Sequence, residues 1–112
     1  MTYFITEAQR KPTHATCFFE FQKGMFRKQH WEEDSLFLHM DTFDRLNLYP
    51  IFCAAIPHFD YCGPNSVTHD QYKLLKDTAL SHGDEIAALF SELDIWVTEC
   101  FKTETCFSIL GI

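Results

Sequence analysis

An α+β domain is the fold this sequence predicts: a small antiparallel sheet, made of an N-terminal meander plus a C-terminal strand, covered by three to four helices. Three observations lead there. Short aromatic and apolar runs, too short for helices, lie between Thr16 and Met40. Apolar residues recur at spacings of three and four from Ile86 to Phe101. Strict alternation follows from Thr105 to Leu110. A single domain is expected of 112 residues, and a chain of this size buries roughly two thirds of its unfolded surface. Twelve phenylalanines supply the bulk of that core.

The meander is read as three strands: Thr16–Phe21, then Met25–Trp31 after the turn signal Gln22-Lys23-Gly24, then Leu36–Met40 after the polar turn Glu32–Ser35. Asp41 or Thr42 suits the N-cap of a short helix through Asn47. Pro50 is tolerated in a first helical turn, so Pro50–Ile56 is a second short helix, stopped by Pro57. Residues 57–66, with two prolines, a glycine and an asparagine, read as a loop. Thr68 and Gln71 form a capping box, and Val67 with Tyr72 fits the accompanying hydrophobic staple, so a helix starts at His69 and runs to about Ser81. A second helix, Asp84–Lys102, faces the core with Ile86, Leu89, Phe90, Leu93, Val97, Cys100 and Phe101. The last strand, Thr105–Leu110, places Phe107 and Ile109 on one face and Cys106, Ser108 and Leu110 on the other.

Charge is the outward-facing signal. Residues 1–30 carry five basic and two acidic side chains; residues 31–112 carry fourteen carboxylates and four basic groups, a local balance of −10. Such a field repels nucleic acid and anionic membrane and steers basic protein partners into contact. Two patches stand out as partner-binding candidates. Glu85, Glu92 and Glu99 are spaced by seven, so they align along one helix face, with Glu92 and Glu99 expected to point to solvent. In Trp31-Glu32-Glu33-Asp34 an aromatic stands beside three acids, as suits an anchor ringed by charge.

The signals for chemistry are weaker. His14 with Cys17, and His58 with Cys62 near His69, have ligand-like spacings, but there is no CxxC and no HExxH, so no metal and no cofactor is expected. Cys62 as a nucleophile needs a histidine partner and a thiolate-favouring setting, and Asp60 beside it works against the thiolate. Asp41 and Asp44 read as an Asp-rich helix start rather than an acid–base pair. The five cysteines are expected as reduced thiols filling the core. The N-terminus lacks the apolar stretch of a secretory signal and the longest apolar run, Ile51–Ile56, is far short of a membrane span, so a cytoplasmic location is expected.

The segment Tyr61-x-Gly63-x-Asn65-x-Val67-Thr68-x-x-Gln71-Tyr72 resembles a loop-to-helix entry found in bacterial immunity proteins, which neutralise polymorphic toxins, including those of contact-dependent growth inhibition systems. The ending Cys106-Phe107-Ser108-Ile109-Leu110-Gly111-Ile112 is similar to a terminal strand of such proteins. The resemblance implies a one-to-one inhibitor of a basic toxin domain, often a nuclease, covering its active or substrate-binding cleft and carrying no catalytic residue of its own. A small enzyme or metalloprotein using the His58–His69 loop is the alternative. A phage or plasmid inhibitor of a host nucleic-acid enzyme is a third.

Overall fold

In the computed structural model, which describes residues 1–111, the chain lays down β1 (Phe4–Thr6), α1 (Glu7–Arg10), a 3₁₀ turn (Lys11–Thr13), β2 (Phe18–Lys23), β3 (Leu36–His39), α2 (Met40–Arg45), α3 (Leu48–Ala55), β4 (Asn65–Thr68), α4 (His69–Leu80), α5 (Asp84–Cys100) and β5 (Cys106–Leu110). Ile112, the last residue of the quoted C-terminal stretch, lies outside the described residues. The architecture is the expected α+β, with one five-stranded antiparallel sheet in the order β1-β3-β2-β5-β4.

Strand alternation sorts the side chains. Phe19 and Phe21 of β2, Leu36 and Leu38 of β3, and Phe107 and Ile109 of β5 join one buried cluster with Phe52 of α3, Leu75 of α4 and Phe90 of α5. Edge-to-face ring pairs, such as Phe4 on Phe21 at 5.6 Å, fill this layer. The core stripe of α5 is the expected one, Cys100 included, with Phe101 only partly buried.

The expected strand Met25–Trp31 does not form; Gly24 to Ser35 is a loop folded over the other face of the sheet. Two things prevent pairing. Lys28 and Trp31 take positive φ angles, which break an extended chain. The carboxylate of Glu20, 1% exposed on that sheet face, gathers the loop's donors: Trp31 N–H at 3.0 Å, Glu32 N–H at 2.9 Å and Ser35 Oγ at 2.7 Å. A buried carboxylate must be hydrogen-bonded, and this loop supplies the partners. Alongside it, Arg10 is buried with Glu7 at 2.6 and 2.9 Å, and its guanidinium lies 3.9 Å from the centre of the Trp31 ring.

Strand β1 and helix α1 lie outside the elements expected from the sequence, yet they carry their own start signal. Thr6 and Gln9 make a capping box like that of Thr68 and Gln71. Both sheet edges, β1 and β4, thus run straight into a helix through a threonine cap. Strand β4 also begins inside the stretch read as loop. Asn65 starts it, tying down the preceding turn by accepting from Asp60 N–H at 2.8 Å and donating to the Asp60 carbonyl at 2.8 Å. Gly63, with φ +70°, sits so close to Gly111 that a side chain there meets backbone. Helix α2 starts two to three residues earlier than expected and is capped by His39, whose Nδ1 accepts from Asp41 N–H at 3.0 Å, not by Asp41 or Thr42.

The cysteines need correcting in part. All five are free, but only Cys100 and Cys106 are buried; Cys53 and Cys62 are exposed and Cys17 is intermediate. Thr68→Ala removes the acceptor of the Gln71 N–H and is expected to cost about 0.5–2 kcal/mol, read from the denaturation midpoint.

Candidate protein-binding face

Helix α5 arranges the acidic line as its seven-residue spacing requires, but its three carboxylates are not equivalent. Glu85 receives a two-pronged contact from Arg45 at 3.2 and 3.1 Å, and this guanidinium holds its carboxyl below the usual range. Glu99 lies 2.9 Å from the Lys102 ammonium, which likewise lowers its pKa. Both pairs are solvent-exposed, where ion pairs contribute little to stability.

Glu92 departs from the expectation that it points to solvent. It is half-buried and accepts from three backbone N–H groups at the start of the chain: Thr2 at 2.9 Å, Tyr3 at 3.0 Å and Phe4 at 3.2 Å. The carboxylate thus holds the N–H groups of Thr2 and Tyr3, just before edge strand β1, and of Phe4, its first residue, and anchors the chain where it enters the sheet. Glu92→Lys is therefore expected to loosen the N-terminus, with faster amide hydrogen exchange at Tyr3 and Phe4 and little change across α5.

The second patch is also partly used internally. The Trp31 ring is turned inward, between Arg10 and Phe37, whose ring lies 5.7 Å away. Glu32 reaches Arg27 at 3.3 Å. Glu33 and Asp34 are exposed. The backbone carbonyl of Asp34 accepts from the indole N–H of Trp96 at 2.9 Å, so the acidic loop and α5 meet at this tryptophan.

That junction holds the residues sequence reasoning missed. Ile95 is 77% exposed and Met1 68% exposed. With Trp96 and Leu36 they line a shallow groove of about 400 Å³, bounded by Glu92, Glu99 and Lys23. Ile95 stands three residues after Glu92 and four before Glu99, within the acidic stripe itself. Its signal was in the sequence: Leu93, Ile95, Trp96 and Val97 cannot all lie on one helix face, and Ile95 has the phase of the glutamates. Apolar surface enclosed by charge is the layout of a protein-binding patch.

The other candidate constellations do not assemble. Among the described residues, no group of three or more His, Cys, Asp or Glu side chains is arranged to hold a metal ion. Asp60 accepts the backbone N–H of Cys62, while the His69 ring packs edge-on against Phe101 at 5.0 Å. No hydrogen bond links Cys62 to a histidine among the described residues; His39 instead lies 3.1 Å from the sulfur of Cys17. Asp44 accepts from the Tyr61 hydroxyl at 3.1 Å. No helix among the described residues is long and apolar enough to cross a membrane. Comparison with protein-family models, with curated proteins and with solved structures returns no match.

Proposed function

We propose that this protein is an acidic protein-binding inhibitor, an immunity protein that neutralises a cognate basic toxin, a nuclease being the best fit, by covering the toxin's active or substrate-binding cleft in the bacterial cytoplasm. The observation that carries this is the Ile95–Trp96–Met1 groove set into the acidic face of α5 and the adjoining Glu33–Asp34 loop. An excess of fourteen carboxylates over four basic groups after residue 30 matches a cationic cleft and speeds encounter, while the apolar centre slows dissociation. The similarity of the Tyr61–Tyr72 segment to immunity proteins points the same way. Inhibition by occlusion requires no catalytic residue, metal or cofactor. Trp31 and Glu32 contribute by holding the loop that presents Glu33 and Asp34.

Surface binding kinetics against the basic protein domain encoded beside the gene test this. Glu33→Lys with Glu99→Lys, which spares the Glu92 clamp, is expected to lower the association rate strongly at low salt. The deficit shrinks as the Debye length falls from about 10 Å at 0.1 M toward about 3 Å at 1 M salt. Ile95→Arg is expected to raise the dissociation rate with little salt dependence. If both variants bind and protect like the parent at every salt concentration, this face is merely solvated and the proposal fails.

A further inference from the structure

Four basic residues follow residue 30, and three of them, Lys73, Lys76 and Lys102, line one cavity between α4 and α5. It is an open cleft of about 360 Å³, at the low end of the range of small-molecule sites. At 100° per residue, its α5 members Asp94 and Thr98 flank the buried stripe on the side away from Glu92 and Glu99, and Phe101 is the cap residue that follows the helix. The helix therefore separates an acidic flank from a basic one. The cavity has an apolar and aromatic lining, with buried Val97 and Tyr72 and the half-exposed ring of Phe101 beside the exposed His69 imidazole.

The charges there are unevenly committed. Asp94 is engaged twice, by Lys76 at 3.0 Å and by the Tyr72 hydroxyl at 2.9 Å. Burial, and then that carboxylate, push the Tyr72 pKa up, so the hydroxyl stays protonated and donating. Lys102 pairs with Glu99 on the exposed rim, a contact that contributes little and is readily exchanged. Lys73 forms no ion pair among the described residues. The lining itself carries three ammonium groups against the one carboxylate of Asp94, with Glu99 at the rim and Asp70 and Asp77 one turn to either side of Lys73 on α4.

We propose that this cavity binds a small phosphorylated molecule carrying a flat ring, of the mononucleotide kind. The ring lies against Phe101 and His69, and the phosphate sits between Lys73 and Lys102, with Lys76 adding charge behind them. Lysines suit this role as mobile point charges that meet a phosphate without fixed geometry. The site is on the other flank of α5 from the protein-binding face, and the two share only the rim pair Lys102–Glu99.

Titration of the intact protein with AMP, adenosine and inorganic phosphate, followed by amide chemical shifts, tests the site. AMP is expected to saturate with a Kd of about 1 mM or tighter, shifting His69, Lys73, Phe101 and Lys102. Adenosine and phosphate alone are each expected to bind at least roughly tenfold more weakly. Lys73→Glu with Lys102→Glu is expected to weaken AMP by a similar factor while the far-ultraviolet circular dichroism is unchanged. Should that pair fail to fold, Thr98→Glu, an exposed change at the cavity wall, serves instead and is expected to weaken AMP by setting a carboxylate against its phosphate. The proposal is overturned if AMP does not saturate, if its shifts map elsewhere, if adenosine or phosphate alone binds as tightly, or if the folded variants bind AMP like the parent.

Discussion

Replacing Phe90 by alanine is expected to destabilise the protein by about 3–5 kcal/mol, a large part of the roughly 5–15 kcal/mol that holds a typical domain folded. Phe90 is fully buried at the centre of the α5 stripe, with the Phe52 ring of α3 6.2 Å away. Truncation loses the transfer energy of the ring and leaves a cavity between α3 and α5. The neighbours placed to collapse into it are large rings already committed to other ring pairs: Phe52 also packs on Phe43 at 5.3 Å and Phe59 at 5.4 Å. Interiors built this way relax poorly, which places the cost toward the upper end. Chemical denaturation measures it. A midpoint unchanged from the parent contradicts the packing described here. Phe90→Leu, which keeps much of the volume, is expected to recover most of the loss.

What the sequence disclosed follows from how local each signal is. The α5 stripe, the Thr68–Gln71 box and the alternation of β5 depend on neighbours within a few residues, and all three are found in the structure. The Thr6–Gln9 box is equally local and was legible; its helix is only four residues long, too short for periodicity to draw attention to it. The expected Met25–Trp31 strand does not form: Arg27 to His30 are four polar residues in a row, with no apolar face to bury. The sheet places β5, not this segment, on the free side of β2. No short-range pattern reveals that Glu20 will be buried and will demand donors from residues eleven to fifteen positions away. The candidate site shows the same limit. Periodicity aligned Glu85, Glu92 and Glu99, but not the distant partners that give them different duties: Arg45 for Glu85, and the first strand's backbone for Glu92. The meeting of Asp34 and Trp96, which joins the two acidic patches, spans sixty-two residues.

Glu20→Ala is expected to be nearly as damaging as the loss of Phe90, by different physics. The carboxylate satisfies two backbone N–H groups and one hydroxyl in a layer closed to water on the sheet side. Hydrogen bonds to a charged group contribute roughly 1.5–3 kcal/mol each, and donors left unpaired in a buried layer add their own desolvation cost. Part of this is recovered, because the loop can lift and let Trp31 and Glu32 reach solvent; a net loss of about 2–5 kcal/mol follows. Lifting has a second consequence. The Trp31 ring leaves Arg10, whose stacking contact and whose pairing with Glu7 depend on the same covered face. The variant is therefore expected to show a lowered denaturation midpoint together with fast hydrogen exchange at Trp31 and Glu32 and proteolytic cleavage between Gly24 and Ser35, while α4 and α5 stay protected. That combination separates a loop pinned by one carboxylate from general loosening of the core, which exposes every element alike. Because Asp34 reaches Trp96 only when the loop is down, the same variant is expected to lose affinity for a basic partner even at temperatures where it remains folded. If the loop amides stay as protected as in the parent, Glu20 is not what holds this segment over the sheet.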